Sequence, residues 1–406
     1  MSRPVPNFLC PHCGYALPAQ NILQGRKADE ARGRCSHCSR WIPIRLPSIQ
    51  PKVVYLDQSF LSAACLAAEN PKSQGEVRLL SKLRELKAQQ KIRVVVSDVH
   101  SRETSAIPDE YSQDRANLWQ FQNDLADGRI SVDWGEVFVA QQRRKLAGHG
   151  DSDSFPSTDI GLDDPHRWQV GMRVQLTNHW LLKLHRESAR PRDTVNEDFR
   201  GIIERQLANI PNCSNVCDCL NYVRELWHKV IQEGIAAFRQ HRDLLLSMEQ
   251  MVKELEAGRV PKIPRSEVPD APFRRLVGEV VERLDEESAL QRWLELSKGE
   301  SPSLCASLRI RTAFEAALFW KWRIGCPPTN SDTFNKGFGL SRQNDIDHVS
   351  AFAPYVDALT TDNGMFDLCK HEIVADELAR FPCKIFSKRN YDEFEAWLDA
   401  LLAEHV

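Results

Sequence analysis

No apolar run in this 406-residue chain approaches the roughly 18 residues that a membrane-spanning helix needs, and no charged-then-apolar leader stands ahead of Cys10. The sequence therefore predicts a soluble, cytoplasmic protein without a membrane partner. Internal repeats and low-complexity tracts are also missing, which argues against a solenoid or a long disordered tail. The twelve cysteines lack the even spacing of a disulfide framework, so a stapled secreted scaffold is excluded and paired cysteines read instead as metal ligands in a reducing compartment. A chain of this length has room for two or three domains and for a core that packs without staples. Its formal charge of −3 is small but uneven: residues 1–52 carry eight Lys/Arg against two Asp/Glu, net +6, which leaves −9 for the remainder. A basic head on an acidic body suits a polyanionic partner at one end and metal-binding carboxylates at the other, although ordinary solvated charge accounts for the same figures.

Residues 1–50 are rich in Pro, Gly and Arg and contain no run long enough for a core of their own. They do contain Cys10-Pro11-His12-Cys13 and Cys35-Ser36-His37-Cys38, two C-x2-C pairs 21 residues apart, close to the spacing of four-thiolate zinc sites. Four sulfurs complete a tetrahedron with no open position, so Cys10, Cys13, Cys35 and Cys38 predict a structural Zn2+ and not a catalytic one. Metal binding would supply most of the folding free energy of such a segment, on the order of 10 kcal/mol. His12 and His37 lie inside the pairs as bystanders. Arg26, Lys27, Arg32, Arg34, Arg40 and Trp41 offer charge and a stacking surface to nucleic acid, while a purely structural or protein-docking ribbon fits equally well. Cys213, Cys217 and Cys219 have no fourth ligand nearby and read as buried thiols.

From residue 53 the pattern becomes strand, helix, strand. Val53 to Asp57 and Ile92 to Ser97 are short apolar runs without alternation, which favours a parallel sheet covered on both faces. Between them Gln74 to Gln90 places Val77, Leu80, Leu83 and Leu86 on one helical stripe. Residues 108–340 read as mainly helical, with helices expected over 196–210, 220–257, 273–298 and 306–324 and a polar loop over 148–165, and they look like an insertion. The α/β pattern resumes with a helix over 346–353, a strand over 358–362, a helix over 365–379, a strand over 383–387 and a last helix over 391–402. The expected organisation is thus a four-cysteine ribbon (1–50), an α/β domain in two parts (51–107 and 341–406) and the intervening helices.

Carboxylates recur at or just past the strand ends: Asp57 after Val53-Val54-Tyr55-Leu56, Glu103 in the helix after Val94-Val95-Val96-Ser97-Asp98, and Asp362 after Ala358-Leu359-Thr360-Thr361. Each alone has an ordinary explanation as a helix cap, a first-turn acid or a turn residue. Together with Asn344-Asp345-Ile346-Asp347-His348 and Pro354-Tyr355-Val356-Asp357, their order resembles the PIN-domain nucleases. That resemblance implies a three-layer α/β/α fold and metal-dependent cleavage of RNA. By position it matches Asp57 to the family's first acid, Glu103 to the second, Asp345 or Asp347 to the third and Asp362 to the fourth, with Asp357 as a further contributor. The chain departs from the family's pattern in the length of residues 104–344, far more than compact members carry between the second and third acids.

The chemistry also stands without the family. Clustered carboxylates that hold one or two Mg2+ or Mn2+ ions can promote attack of water on a phosphodiester without any protein nucleophile. Thr361 is a candidate to bind the phosphate, whereas Thr360 reads as a strand former. Residues 306–324 carry Arg309, Arg311, Lys321 and Arg323 beside Phe314, Trp320 and Trp322, a mixture that suits single-stranded substrate or, equally, amphipathic packing. The leading expectation is a PIN-type ribonuclease with RNA as its partner and a possible protein partner at the ribbon or the helices. The alternatives are a non-catalytic nucleic-acid or protein adaptor and a structure-specific DNA nuclease.

Overall fold

The computed structural model describes residues 8–18, 21–24, 30–46, 50–69, 74–128, 130–131, 134–146, 155–160, 213–229, 305–324 and 339–404. The helices expected over 196–210 and 273–298, and most of that over 220–257, lie outside the described residues. Among the described residues no helix is long and apolar enough to cross a membrane.

At the head, β1 (Phe8–Leu9) and β2 (Ala16–Leu17) form an antiparallel hairpin, and β3 (Ile22–Gln24), β4 (Glu30–Arg34) and β5 (Trp41–Arg45) form a three-stranded antiparallel sheet. In β4 and β5 exposed and buried residues alternate strictly, so Ala31, Ile42 and Ile44 turn inward to meet Leu17, Ile22 and Leu46 around Cys10 and Cys35. Gly33 sits in this layer because a Cβ there would meet Ile44 Cδ1 at 2.9 Å. Such a core is too small to hold the segment without a staple.

Among the described residues the central sheet has five strands, all parallel: β6 (Lys52–Tyr55), β7 (Ile92–Ser97), β8 (Ile130–Ser131), β9 (Ala358–Thr360) and β10 (Lys384–Phe386), in the order β10-β9-β6-β7-β8. From β6 the chain steps outward to β7 and β8, then returns to β6's other side for β9 and β10. The crevice between β6 and β9 is therefore a topological switch point, where ligands of open α/β sheets bind beyond the strands' carboxyl ends.

Successive β6 residues face opposite layers. Val54 and Leu56 join Ile92, Val94, Ala358 and Phe386 under α1 (Gln58–Glu69), α2 (Gln74–Ala88), and α4 (Ser112–Leu125), which follows α3 (Asp98–Ser105). Val53 and Tyr55 join Val95 and Leu359 under α5 (Trp134–Leu146), the helical residues 216–229, α6 (Ala306–Arg323) and α7 (Leu340–Phe352). Beyond β9 come α8 (Asn363–Cys369), α9 (Glu372–Leu378) and, after β10, α10 (Tyr391–Ala403), whose Phe394 and Leu398 belong to the first layer. The result is α/β/α in three layers. Helices α4, α5 and α6 come from the stretch expected to be an insertion, yet they share these cores with the sheet.

Several boundaries move. The buried stripe of α2 is Leu79, Leu80, Leu83 and Leu86, whereas Val77 is 38% exposed, because the core face is centred one position away from the expected one. The helix expected from 346 begins at Leu340, so Asp345 and Asp347 lie within it rather than at its start. The helix expected over 365–379 divides into α8 and α9. The two-residue strand β8 carries too few residues to show an apolar run.

Beneath the switch point lies a buried ring cluster. Tyr55 stacks on Phe352 at 4.5 Å, and the His100 and His348 rings stand 5.5 Å apart. The Ser97 backbone N–H donates to His100 Nδ1 (2.9 Å), which leaves the proton on Nε2, and Nε2 donates to the Leu56 carbonyl (2.8 Å). Burial lowers the His100 pKa to about 4. Because this folded-state value lies below the ordinary 6.5, the unfolded chain binds the extra proton first, and stability present above pH 6.5 is lost as pH falls toward 4. Removing the ring isolates this contribution from the carboxylates that titrate in the same window. The stability difference between wild type and His100→Gln, read from urea midpoints, should shrink by about 3 kcal/mol between pH 7 and pH 4. A difference constant across that range would contradict the assigned burial and tautomer.

Candidate functional site

The cysteine quartet closes as the spacing predicts. The Sγ atoms of Cys10, Cys13, Cys35 and Cys38 all lie within 4.8 Å of one another, with Cys10–Cys38 and Cys13–Cys35 each at 3.6 Å. The two knuckles repeat one backbone pattern: Gly14 N–H donates to the Cys10 carbonyl (2.8 Å), and Ser39 N–H to the Cys35 carbonyl (2.9 Å). Both Gly14 (φ +71°) and Ser39 (φ +58°) adopt the left-handed conformation that this tight turn requires. Backbone N–H groups of Cys38 and His37, together with the neighbouring thiols, lower Cys35 to about 6, which favours the thiolate. The four sulfurs can hold a structural metal such as zinc. His12 instead meets Arg40 (3.1 Å), and His37 stacks on Tyr15, both outside the quartet.

At the switch point, Asp57 follows β6 and caps α1: its Oδ1 accepts from the Phe60 N–H (3.2 Å) and its Oδ2 from Ser59 Oγ (2.6 Å). Thr360, at the end of the adjacent strand β9, grips the same residue twice. Its Oγ1 donates to Asp57 Oδ1 and accepts from the Asp57 N–H, both at 3.0 Å. Asp362 caps α8 through the Met365 N–H (2.5 Å), and its side chain remains 43% exposed. Glu103 on α3 reaches Asn344 of α7 (3.4 Å), beside Asp345.

Two of these acids feel the others. Burial pushes Asp345 up to about 8; Arg342 opposes the rise, while Asp362, Glu103 and Asp57 add to it. Burial likewise raises Asp57 above the usual carboxylate range, with Asp362 contributing in the same direction. Arg342, one turn before Asp345 on α7, is the cation among them: its Nη1 lies 3.2 Å from Asp345 Oδ2 and 3.1 Å from Asp362 Oδ1. Gly364 makes room for it, since a Cβ there would meet Arg342 Nη2 at 2.6 Å. With Arg342 bridging, the acids do not close into one cage. Among the described residues the cysteine quartet is the one set of three or more donors within 4.8 Å.

Other expected site residues lie elsewhere. Asp347 is two positions beyond Asp345, about 200° around the helix, and pairs with Arg311 on the core side. Asp357 belongs to the amino-terminal ends of the strands: it precedes β9, receives Lys52 Nζ (2.9 Å) and the Val53 N–H (2.8 Å), and locks the start of β6 to that of β9. It is therefore not part of the acid group at the carboxyl ends. The threonines exchange roles, because Thr360 holds Asp57 while the Thr361 N–H bonds to the Phe386 carbonyl (2.8 Å) and its side chain is buried. Arg311 is packed between Trp134 (5.1 Å) and Trp227 (5.3 Å) and pairs with Glu315. Arg309 shares Glu377 with Arg224 and Arg380. Helix α6 is a core element whose packing accounts for Arg309, Arg311 and its rings, while Lys321 and Arg323 are exposed in its last turn. Cys213 and Cys219 are buried neighbours, whereas Cys217 is exposed.

Sequence reasoning missed Arg342, Asn344, Thr360 and His100. Arg342 lies ahead of the helix expected from 346, so its three-residue spacing from Asp345 could not be read as one helix face. No family model, curated protein or solved structure matches the chain. The reading of the site therefore rests on its own residues.

Proposed function

We propose that the protein is a metal-dependent endoribonuclease of PIN type, with Mg2+ or Mn2+ held by Asp57, Glu103, Asp345 and Asp362. The observation that carries this reading is the meeting of four acids from separate segments at the switch point, where burial and the neighbouring carboxylates raise Asp57 and Asp345. The donors fit a hard divalent cation by type, being all carboxylate oxygens, and by charge, since four acids stand around the single guanidinium of Arg342 in the described hydrogen bonds. Such an ion, when bound, supplies a Lewis acid that balances charge on the phosphate and makes water a better nucleophile. The chain's own residues do the positioning. Thr360 fixes Asp57 across the β6–β9 seam, and His100 fixes the Leu56 carbonyl immediately before it. Choice of RNA rests on the basic ribbon and on the order of segments that resembles PIN nucleases.

A second reading, a non-catalytic adaptor that keeps the fold, draws on Arg342, whose guanidinium stands where two acids would otherwise share a cation. The deciding experiment offers the full chain single-stranded RNA and flap DNA, with Mn2+, with Mg2+ and without added divalent ion. Cation-dependent scission of RNA supports the first reading. Turnover of neither substrate under any condition favours the adaptor, and scission of the flap alone indicates a DNA nuclease.

A further inference from the structure

The ribbon turns its small apolar residues inward and leaves a large ring outside. Trp41 is 54% exposed on β5, and its cross-strand neighbour in register is Arg34 of β4. The next exposed row in the same sheet pairs Leu23 with Arg32 and Arg32 with Pro43. Strands stand about 4.8 Å apart and alternate residues about 6.8 Å, so one outward face presents a flat indole flanked by two guanidinium groups. Glu30 faces Arg45 in the row beyond, so Arg32 and Arg34 are the β4 cations in the same two rows as the ring. The domain also exposes Tyr15, stacked on His37 at 5.3 Å.

We propose that the outer face of the β3–β4–β5 sheet binds single-stranded nucleic acid, with a base stacked on Trp41 and the adjoining phosphates on Arg34 and Arg32. Charge complementarity selects a polyanion, because the head carries net +6 on a chain whose remainder carries −9. The exposed ring selects an unpaired strand, since a base must leave its stack to lie on an indole. The surface lies in the metal-stapled domain and uses none of the switch-point acids. It deepens the nuclease reading by naming where the strand is held, and rests on that reading only for RNA as the biological strand.

The test is fluorescence anisotropy with the full zinc-loaded chain, using labelled single-stranded RNA, single-stranded DNA of the same sequence and the corresponding duplex, without added Mg2+ or Mn2+ so that cleavage does not contribute. Both single strands should bind, and the duplex at least tenfold more weakly. Trp41→Ala should weaken single-strand binding about tenfold. Arg34→Ala should reduce the slope of log affinity against log salt by about 0.7. Zinc content equal to wild type shows that each variant keeps the ribbon, and Arg34→Glu adds a second change at a solvent-facing position. Unchanged affinity in zinc-loaded Trp41→Ala and Arg34→Glu, equal affinity for the duplex, or no single-strand binding by the wild type would overturn the proposal. Asp57→Asn separates this surface from the nuclease reading: strand binding should persist there whatever becomes of cleavage.

Discussion

Asp57→Asn is expected to lower divalent-dependent RNA cleavage by about a thousandfold, roughly 4 kcal/mol of transition-state stabilisation, while the protein remains folded. Asparagine retains an oxygen for the Phe60 N–H and for Thr360 Oγ1, so the α1 cap and the seam between β6 and β9 survive. What disappears is the charge. Asp57 is raised by burial, so its removal relieves a cost in the metal-free protein, and thermal stability without divalent ion should hold or rise. Loss of cleavage with an equal or higher melting temperature would mark the residue as functional and not as a support of the fold. Thr360→Val provides the contrast: both bonds to Asp57 vanish, and two buried polar groups lose a partner, which costs about 1–3 kcal/mol of stability.

At a pH where Asp345 is ionised in both proteins, Arg342→Ala should tighten Mn2+ binding by up to about tenfold, and it should make the metal-free protein less stable. The guanidinium pairs with Asp345 and Asp362, so an incoming cation competes with it for both, and a partly exposed pair is worth on the order of 1 kcal/mol. Without Arg342 the largest influence that lowers Asp345 is gone, and burial together with three neighbouring acids holds its proton to higher pH. Mn2+ must displace that proton. Its affinity should therefore rise with pH until Asp345 is ionised, through about 8 in the wild type and at higher pH in the variant. Calorimetric titration across that range measures both effects. Gly364→Ala offers a milder version, because its added methyl group displaces the flexible end of Arg342 without removing the charge. If neither change alters Mn2+ binding, the guanidinium is a permanent structural cation and the adaptor reading gains.

The parts of this molecule legible in its sequence are those fixed by local rules. Paired cysteines at short spacing announced the zinc-type quartet, and apolar runs without alternation announced parallel strands buried on both faces. Asp57, Glu103 and Asp362 were readable because each sits at a fixed offset from a strand. Asp345 and Asp347 were not separable, because their divergence depends on where α7 begins, and Leu340 to Gln343 carry no strong start signal. Asp357 misled for a related reason: it is close to Asp362 in sequence, but an extended strand carries neighbours to opposite ends of the strands, roughly 3.3 Å per residue. Arg309 and Arg311 of α6 looked like part of a binding face because the sequence does not reveal that Glu315, Asp347 and Glu377 meet them on folding. Thr360 and Arg342 act across the β6–β9 seam and between α7 and α8, contacts made by tertiary folding and invisible to any local pattern.

Anomalous diffraction from a crystal grown or soaked with Mn2+ tests the central claim most directly. The account predicts a manganese peak in contact with carboxylate oxygens of Asp57, Asp345 and Asp362, with Glu103 on the same ion or through a water, and Arg342 withdrawn from between Asp345 and Asp362. Manganese absent from the switch point at saturating concentration, with Arg342 still bridging the two aspartates, would contradict it.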